Sequence, residues 1–157
     1  MPSTKEVLRE ELVLLNHKAG RAEDVLRAMA KLLYDDGAVK DTYCDAMLER
    51  EKEFPTGLPT QEIHVALPHA GVEHVHYSAM AVAVMARPVK FREMGAPDNE
   101  LDVEIILMLA NADPDEQVQT LRKLVELFDE PAALHALKAA PTSAEVVRLL
   151  KEGYREG

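Results

Sequence analysis

The sequence predicts an α/β fold, a single-domain sandwich whose mixed, mostly parallel central sheet is covered by helices on both faces. Three observations carry that prediction. The runs Ser78-Ala79-Met80-Ala81-Val82-Ala83-Val84-Met85 and Val103-Glu104-Ile105-Ile106-Leu107-Met108-Leu109-Ala110 are almost continuously apolar, as expected of strands buried on both sides. Segments with apolar residues at helical spacing alternate with these short runs, so strands and helices interleave along the chain. A length of 157 residues suits one ordinary domain with a substantial core, expected to span 1–157 with its core between residues 5 and 152.

The elements follow in order. Leu12 to Asn16 is short, apolar and closed by polar residues, and is read as a buried strand. From Arg21 to Asp35, Val25, Met29, Leu32 and Leu33 recur at helical spacing, and Gly37 stands where a left-handed C-terminal cap belongs. A second helix is expected from Asp41, a good N-cap, through Tyr43, Ala46 and Met47 to Lys52, with Phe54-Pro55-Thr56-Gly57 as a loop. Glu62 to Leu67 alternates polar and apolar residues until Pro68, which has no N–H and ends the strand. That strand delivers His69 into a loop. Val89-Lys90-Phe91 is expected as a short edge strand. Asp113-Pro114 starts a helix carrying Val118, Leu121, Leu124, Val125 and Phe128, and Pro131 and Pro141 open two shorter helices, Ala132 to Lys138 and Ser143 to Glu152.

Composition narrows the function classes. With 28 acidic against 18 basic residues the net charge is −10, which repels phosphate backbones and anionic lipid, and no basic patch offsets it. Trp is absent and aromatics make up 4%, so a stacking platform for bases or sugars is not expected. No apolar run approaches a membrane span, and Met1 to Glu6 lacks a signal peptide's apolar centre, so a cytoplasmic protein is expected. The single cysteine, Cys44, cannot form an internal disulfide, agrees with a reducing compartment, and is read as a small packing residue.

Six histidines occur, and His64, His69, His74 and His76 fall close together. Imidazoles two residues apart can share a strand face, and Glu62 or Glu73 could complete a zinc-like set. Neither an HExxH pattern nor a nearby Cys ligand supports that reading, and solvated surface histidines are its alternative; His17 and His135 are read as surface residues. His69 stands apart, since it follows the strand-ending Pro68 and precedes the small Ala70-Gly71. Ligands in α/β sheets gather beyond the carboxyl ends of strands, so an exposed histidine there is a candidate reactive group. A histidine that merely caps a backbone group is the competing explanation.

Glu49-Arg50-Glu51 followed by Pro55-Thr56-Gly57, then Val65-Ala66-Leu67-Pro68-His69-Ala70, resembles the enzyme IIA family of the phosphoenolpyruvate-dependent sugar phosphotransferase system, in its fructose/mannitol type. Arg87-Pro88-Val89-Lys90-Phe91, Asp102-Val103, Leu109-Ala110 and Leu121-Arg122-Lys123-Leu124 extend the resemblance from about Lys5 to Glu152. Glu53 to Gly57 is particularly similar to the galactitol branch. The resemblance implies that His69 is the phosphorylated histidine and that Arg50 attends it. In mannitol-like and nitrogen-regulatory members a second histidine starts the helix after the Leu-Ala strand; here that position is Gln117, as in galactitol-type members. The resemblance further implies that phosphate comes from HPr and passes to a cognate IIB protein, so no cofactor and no sugar pocket are called for.

The residues suit that chemistry. A neutral imidazole, with a reference pKa of ~6.5, is a nucleophile near neutrality without a separate base. Phosphoryl transfer is helped mainly by donors placed around the equatorial oxygens. Arg50 offers a forked cation, Gln117 an amide donor or a carbonyl that orients His69, and Thr56 with the Gly57 backbone further donors. The bland alternatives are a solvated Arg50 paired with Glu49 or Glu53, and an exposed Gln117. Two other functions stay open at this point: a regulatory IIA-like module that binds a protein according to phosphorylation, and a metal hydrolase using the clustered histidines.

Overall fold

The computed structural model describes residues 6–156. Its centre is a hairpin of two long strands, β4 (Ala79–Glu93) and β5 (Ala96–Ala110), joined by a tight turn in which Gly95 takes a left-handed φ of 78°. Strand β1 (Val13–His17) lies parallel to β4, with Val13 opposite Val82. On the other side β3 (His64–Ala66) runs parallel to β5, with Ala66 opposite Ile106. The two-residue β2 (Gly57–Leu58) is antiparallel to β3 and also meets the far end of β4, where Gly57 pairs with Glu93. The sheet is therefore mixed, as expected. Parallel pairings outnumber antiparallel ones, although the longest ladder is the antiparallel hairpin.

Strand alternation sorts side chains into two cores. Ala79, Ala81, Ala83 and Met85 of β4, with Ile106 and Met108 of β5, pack against Val25, Met29 and Leu33 of α1 (Ala22–Asp36) and Tyr43 and Met47 of α2 (Tyr43–Glu53). Met80, Val82, Val84, Ile105, Leu107 and Leu109 face the opposite way. They meet Leu124 and Phe128 of α3 (Pro114–Phe128), Leu134 of α4 (Pro131–Ala139), and Val146 and Leu150 of α5 (Ser143–Glu156). Helices cover both faces, which explains why the central runs lack polar alternation. Among the described residues no helix is long and apolar enough to cross a membrane.

Several local expectations change. Val89-Lys90-Phe91 is not a separate edge strand but the second half of β4, which continues past an irregularity between Val84 and Val89. Pro88 lies there, exposed with Ala86 and Arg87, where its missing N–H costs the ladder nothing. Thr42, not Asp41, precedes α2, and its hydroxyl bonds His74 Nδ1 at 2.7 Å instead of capping the helix. The Phe54–Gly57 loop contains the start of β2. A Cβ at Gly57 would lie 2.5 Å from the Arg92 carbonyl oxygen, so only glycine lets β2 approach β4 this closely. On α3 the buried positions are Thr120, Leu124 and Phe128, while Val118 and Val125 face outward. Gly37 and Asp113 cap as expected, Gly37 at φ 92° and Asp113 accepting from Glu116 N at 3.0 Å.

Candidate functional site

The site assembles where β3 and β5, running parallel, both end. Pro68 terminates β3, yet the chain stays clamped to β5: Leu109 N–H donates to the Pro68 carbonyl at 3.0 Å, and His69 bridges Leu109. Behind this point the fully buried Tyr43 hydroxyl donates to the Leu109 carbonyl at 2.6 Å. His69 is thus on a short, doubly fastened segment. It is also buried, with 9% of its surface exposed, whereas its place after a strand suggested an open loop.

The ring has a defined tautomer. His69 Nδ1 lies 2.8 Å from the Leu67 carbonyl oxygen, which can only accept, so Nδ1 carries the proton and Nε2 the lone pair. Burial lowers the imidazole pKa below its ordinary value; the Leu67 bond works against this and the nearby Arg50 charge works with it. Near pH 7 the ring is neutral, and among the described residues nothing bonds its Nε2.

Arg50 lies in the last turn of α2, exposed and without an ion-pair partner among the described residues, so the expected alternative of pairing with Glu49 or Glu53 is not what the structure contains. Its guanidinium instead stands 5.6 Å from the centre of the Phe54 ring, a cation–π distance. Gln117, in the first half of α3, donates its amide to the Ala70 carbonyl at 3.1 Å. It therefore grips the residue after His69 rather than the imidazole itself.

Thr56 differs most from expectation. Its hydroxyl donates to Glu51 Oε1 at 2.7 Å and its N–H to Glu51 Oε2 at 2.9 Å, so neither is free for a ligand. The Thr56 Oγ1 in turn accepts from Leu67 N–H at 3.2 Å. Burial pushes the Glu51 carboxyl up to about 7, with the two Thr56 bonds pulling it down. Sequence reading assigned Glu51 no role; an acid five residues before a Thr is too common a spacing to single it out.

The remaining histidines separate. His64 Nδ1 accepts from Thr60 N–H at 3.2 Å, His74 bonds Thr42, and His135 pairs with Glu62. Among the described residues no three His, Cys, Asp or Glu side chains converge as a metal site, so the clustered histidines are neighbours in sequence alone. Cys44 is half-buried, and burial pushes its thiol up, away from reactive thiolate character.

Comparison with known proteins gives the context of this geometry. Residues 6–153 match the family model described as phosphoenolpyruvate-dependent sugar phosphotransferase system, EIIA 2. The galactitol-specific EIIA component of the phosphotransferase system of Escherichia coli (strain K12) is 29% identical over 118 residues, 75% of this chain and 78% of that one. The crystal structure of IIA mannitol from Escherichia coli superposes with a TM-score of 0.75 at 28% identity, covering 91% of this chain and 98% of the other. The structure of the Escherichia coli mannitol IIA enzyme in complex with phosphorylated mannitol IIB superposes with a TM-score of 0.76 at 26% identity, covering 92% and 97%.

Proposed function

This chain belongs to the EIIA 2 family of the phosphoenolpyruvate-dependent sugar phosphotransferase system, whose members transfer phosphate through histidine, and from that membership we propose that residues 1–157 act as one cytoplasmic IIA unit that accepts a phosphoryl group from HPr on His69 and hands it to a cognate IIB protein. The observation that carries this reading is the Nδ1–H bond from buried His69 to the Leu67 carbonyl, which leaves a neutral Nε2 lone pair as the acceptor.

The transfer then follows from the site. The Nε2 lone pair attacks the phosphorus of the donor phosphohistidine; the donor's N–P bond breaks as the His69 N–P bond forms, and the donor imidazole leaves. Positive charge grows on the His69 ring meanwhile, and the Leu67 carbonyl, already accepting from Nδ1–H, stabilises it. Arg50, exposed, over the Phe54 ring and without an ion-pair partner among the described residues, can swing its fork onto the phosphoryl oxygens. Gln117 keeps the Ala70 backbone in place and has a second amide N–H for the same oxygens. Transfer onward reverses these steps against the IIB acceptor. The mannitol IIA enzyme complexed with phosphorylated IIB supports a IIB partner of this kind.

The sugar need not touch this chain. Glutamine at position 117, together with the similarity to a galactitol-specific component, favours galactitol over mannitol. The deciding experiment is incubation with phosphoenolpyruvate, enzyme I and HPr, followed by intact mass measurement. One acid-labile phosphate per chain is expected, and none on His69→Ala, which should remain folded because the ring's bonds are to its own loop. No uptake by the unaltered chain from a competent donor would remove the reading, and full labelling of His69→Ala would remove the site.

A further inference from the structure

Glu51 takes no part in the transfer derived above, yet its position is costly. Its carboxyl is half-buried at the end of α2, both oxygens accept from Thr56, and no cation pairs with it among the described residues. Burying a carboxylate without a countercharge costs stability that an apolar side chain of similar size would not. What the arrangement supplies is direction. When Glu51 is ionised it takes the proton of the Thr56 hydroxyl in a hydrogen bond, and the hydroxyl oxygen then has only lone pairs left for Leu67 N–H to donate to. The Thr56 carbonyl, at 3.3 Å, accepts from the same N–H. Leu67, pinned at its N–H, then offers its own carbonyl to His69 Nδ1 at 2.8 Å.

We propose that Glu51 is a positioning residue for phosphoryl transfer: through Thr56 and Leu67 it holds the carbonyl that keeps the His69 proton on Nδ1 and the lone pair on Nε2. This rests on His69 being the phosphoryl acceptor. It concerns, however, a property of the unphosphorylated ring that is measurable without any partner. Glu51 touches neither the ring nor the transferred group, so its loss should misplace the nucleophile rather than remove it.

The test uses the full chain labelled with 15N, in which the two ring nitrogens report the tautomer of His69, alongside single-turnover transfer from phosphorylated HPr. The unaltered chain should show the Nδ1–H form. Glu51→Ala and Thr56→Val should shift the ring toward a mixture of tautomers and slow transfer by about 10-fold or more, since small misplacements of a nucleophile have effects of that order. Their final phosphate content should still reach one per chain. Glu51→Gln keeps an oxygen for Thr56 N–H but turns an NH2 donor toward Oγ1, so the hydroxyl proton loses its acceptor and the variant should fall between the unaltered chain and Glu51→Ala, whereas Thr56→Ser, which keeps the hydroxyl, should largely restore both readouts. Unchanged tautomer and rate in the Ala and Val variants would overturn the proposal, as would a Thr56→Ser variant as impaired as Thr56→Val. Should Glu51→Ala fail to fold, the Thr56→Val and Thr56→Ser pair decides on the same readouts. If the unaltered chain takes no phosphate, the function fails while the tautomer spectra still judge the positioning role.

Discussion

At His69, the proposed phosphoryl acceptor, two opposing demands meet. A nucleophilic imidazole must be neutral, which burial favours, yet it must also reach a partner protein, which burial opposes. The structure settles on a ring that is 9% exposed, with one nitrogen bonded inward. Because burial lowers the His69 pKa from 6.5, with Arg50 acting in the same direction, the neutral fraction persists to more acidic pH than for a free histidine. The unfolded chain binds this proton more readily in the window just below 6.5, so the stability His69 contributes is full above that pH and is lost as pH falls toward the folded pKa. The rate of uptake should accordingly stay level through pH 6.5 and decline only below it. Arg50→Ala removes one cause of the lowering, so the decline should begin at higher pH, and transfer should slow about 10-fold or more as the developing charge loses its forked donor. Single-turnover rates from about two units below to about one unit above the reference pKa of imidazole would check both effects. An Arg50→Ala profile overlying that of the unaltered chain would return Arg50 to an ordinary surface charge.

Elements explain why some of this was legible in the sequence and some was not. The place of the proposed acceptor in the fold could be read because Pro68 ends a strand by simple loss of an N–H, and whatever follows a strand end in an α/β sheet sits at its carboxyl edge. Gly37 and Asp113-Pro114 marked helix ends by equally local chemistry. The β4–β5 hairpin was missed because its turn, Met94-Gly95, carries no Asn-Gly or Asp-Gly signal and Pro88 interrupts the apolar run. The Glu51–Thr56 pair was missed for another reason: it joins a helix end to a loop, and such a contact has no period. Helix α3 adds a contact of this kind through Gln117, whose amide reaches back across the site to the Ala70 carbonyl. Gln117→Glu should therefore be the most harmful change there, replacing a donor with a carboxylate that repels both that carbonyl and the incoming phosphate. Gln117→Ala loses the grip alone and should fall between, while Gln117→His keeps a donor and should retain a sizeable fraction of the rate. Single-turnover transfer for the three variants, with folding followed by circular dichroism, tests that order; equal rates near those of the unaltered chain would make Gln117 a bystander.

Across the whole molecule, one hairpin serves two cores. Ile106 and Leu107 are adjacent and fully buried, but Ile106 belongs to the core under α1 and α2 and Leu107 to the core under α3, α4 and α5. Each truncation to Ala should cost about 2–5 kcal/mol, the range for large-to-small changes in packed interiors. Where that cost is felt depends on the wall between the cores. The site draws Arg50 and Glu51 from a helix on one face and Gln117 from a helix on the other, and it keeps its geometry only if both faces hold to the same strands. A shared wall couples them: loosening one side of β5 weakens the ladder that the other side packs on, so unfolding should remain a single cooperative transition. Native-state hydrogen exchange gives a direct reading, because amides of α1 and of α5 report opposite faces. Ile106→Ala should lower the opening free energy of the α5 amides as much as that of the α1 amides, and Leu107→Ala should do the converse. If each substitution loosened only the helices on its own face, the cores would be independent, and the transfer site would lie on a boundary between separately opening halves instead of on one rigid edge.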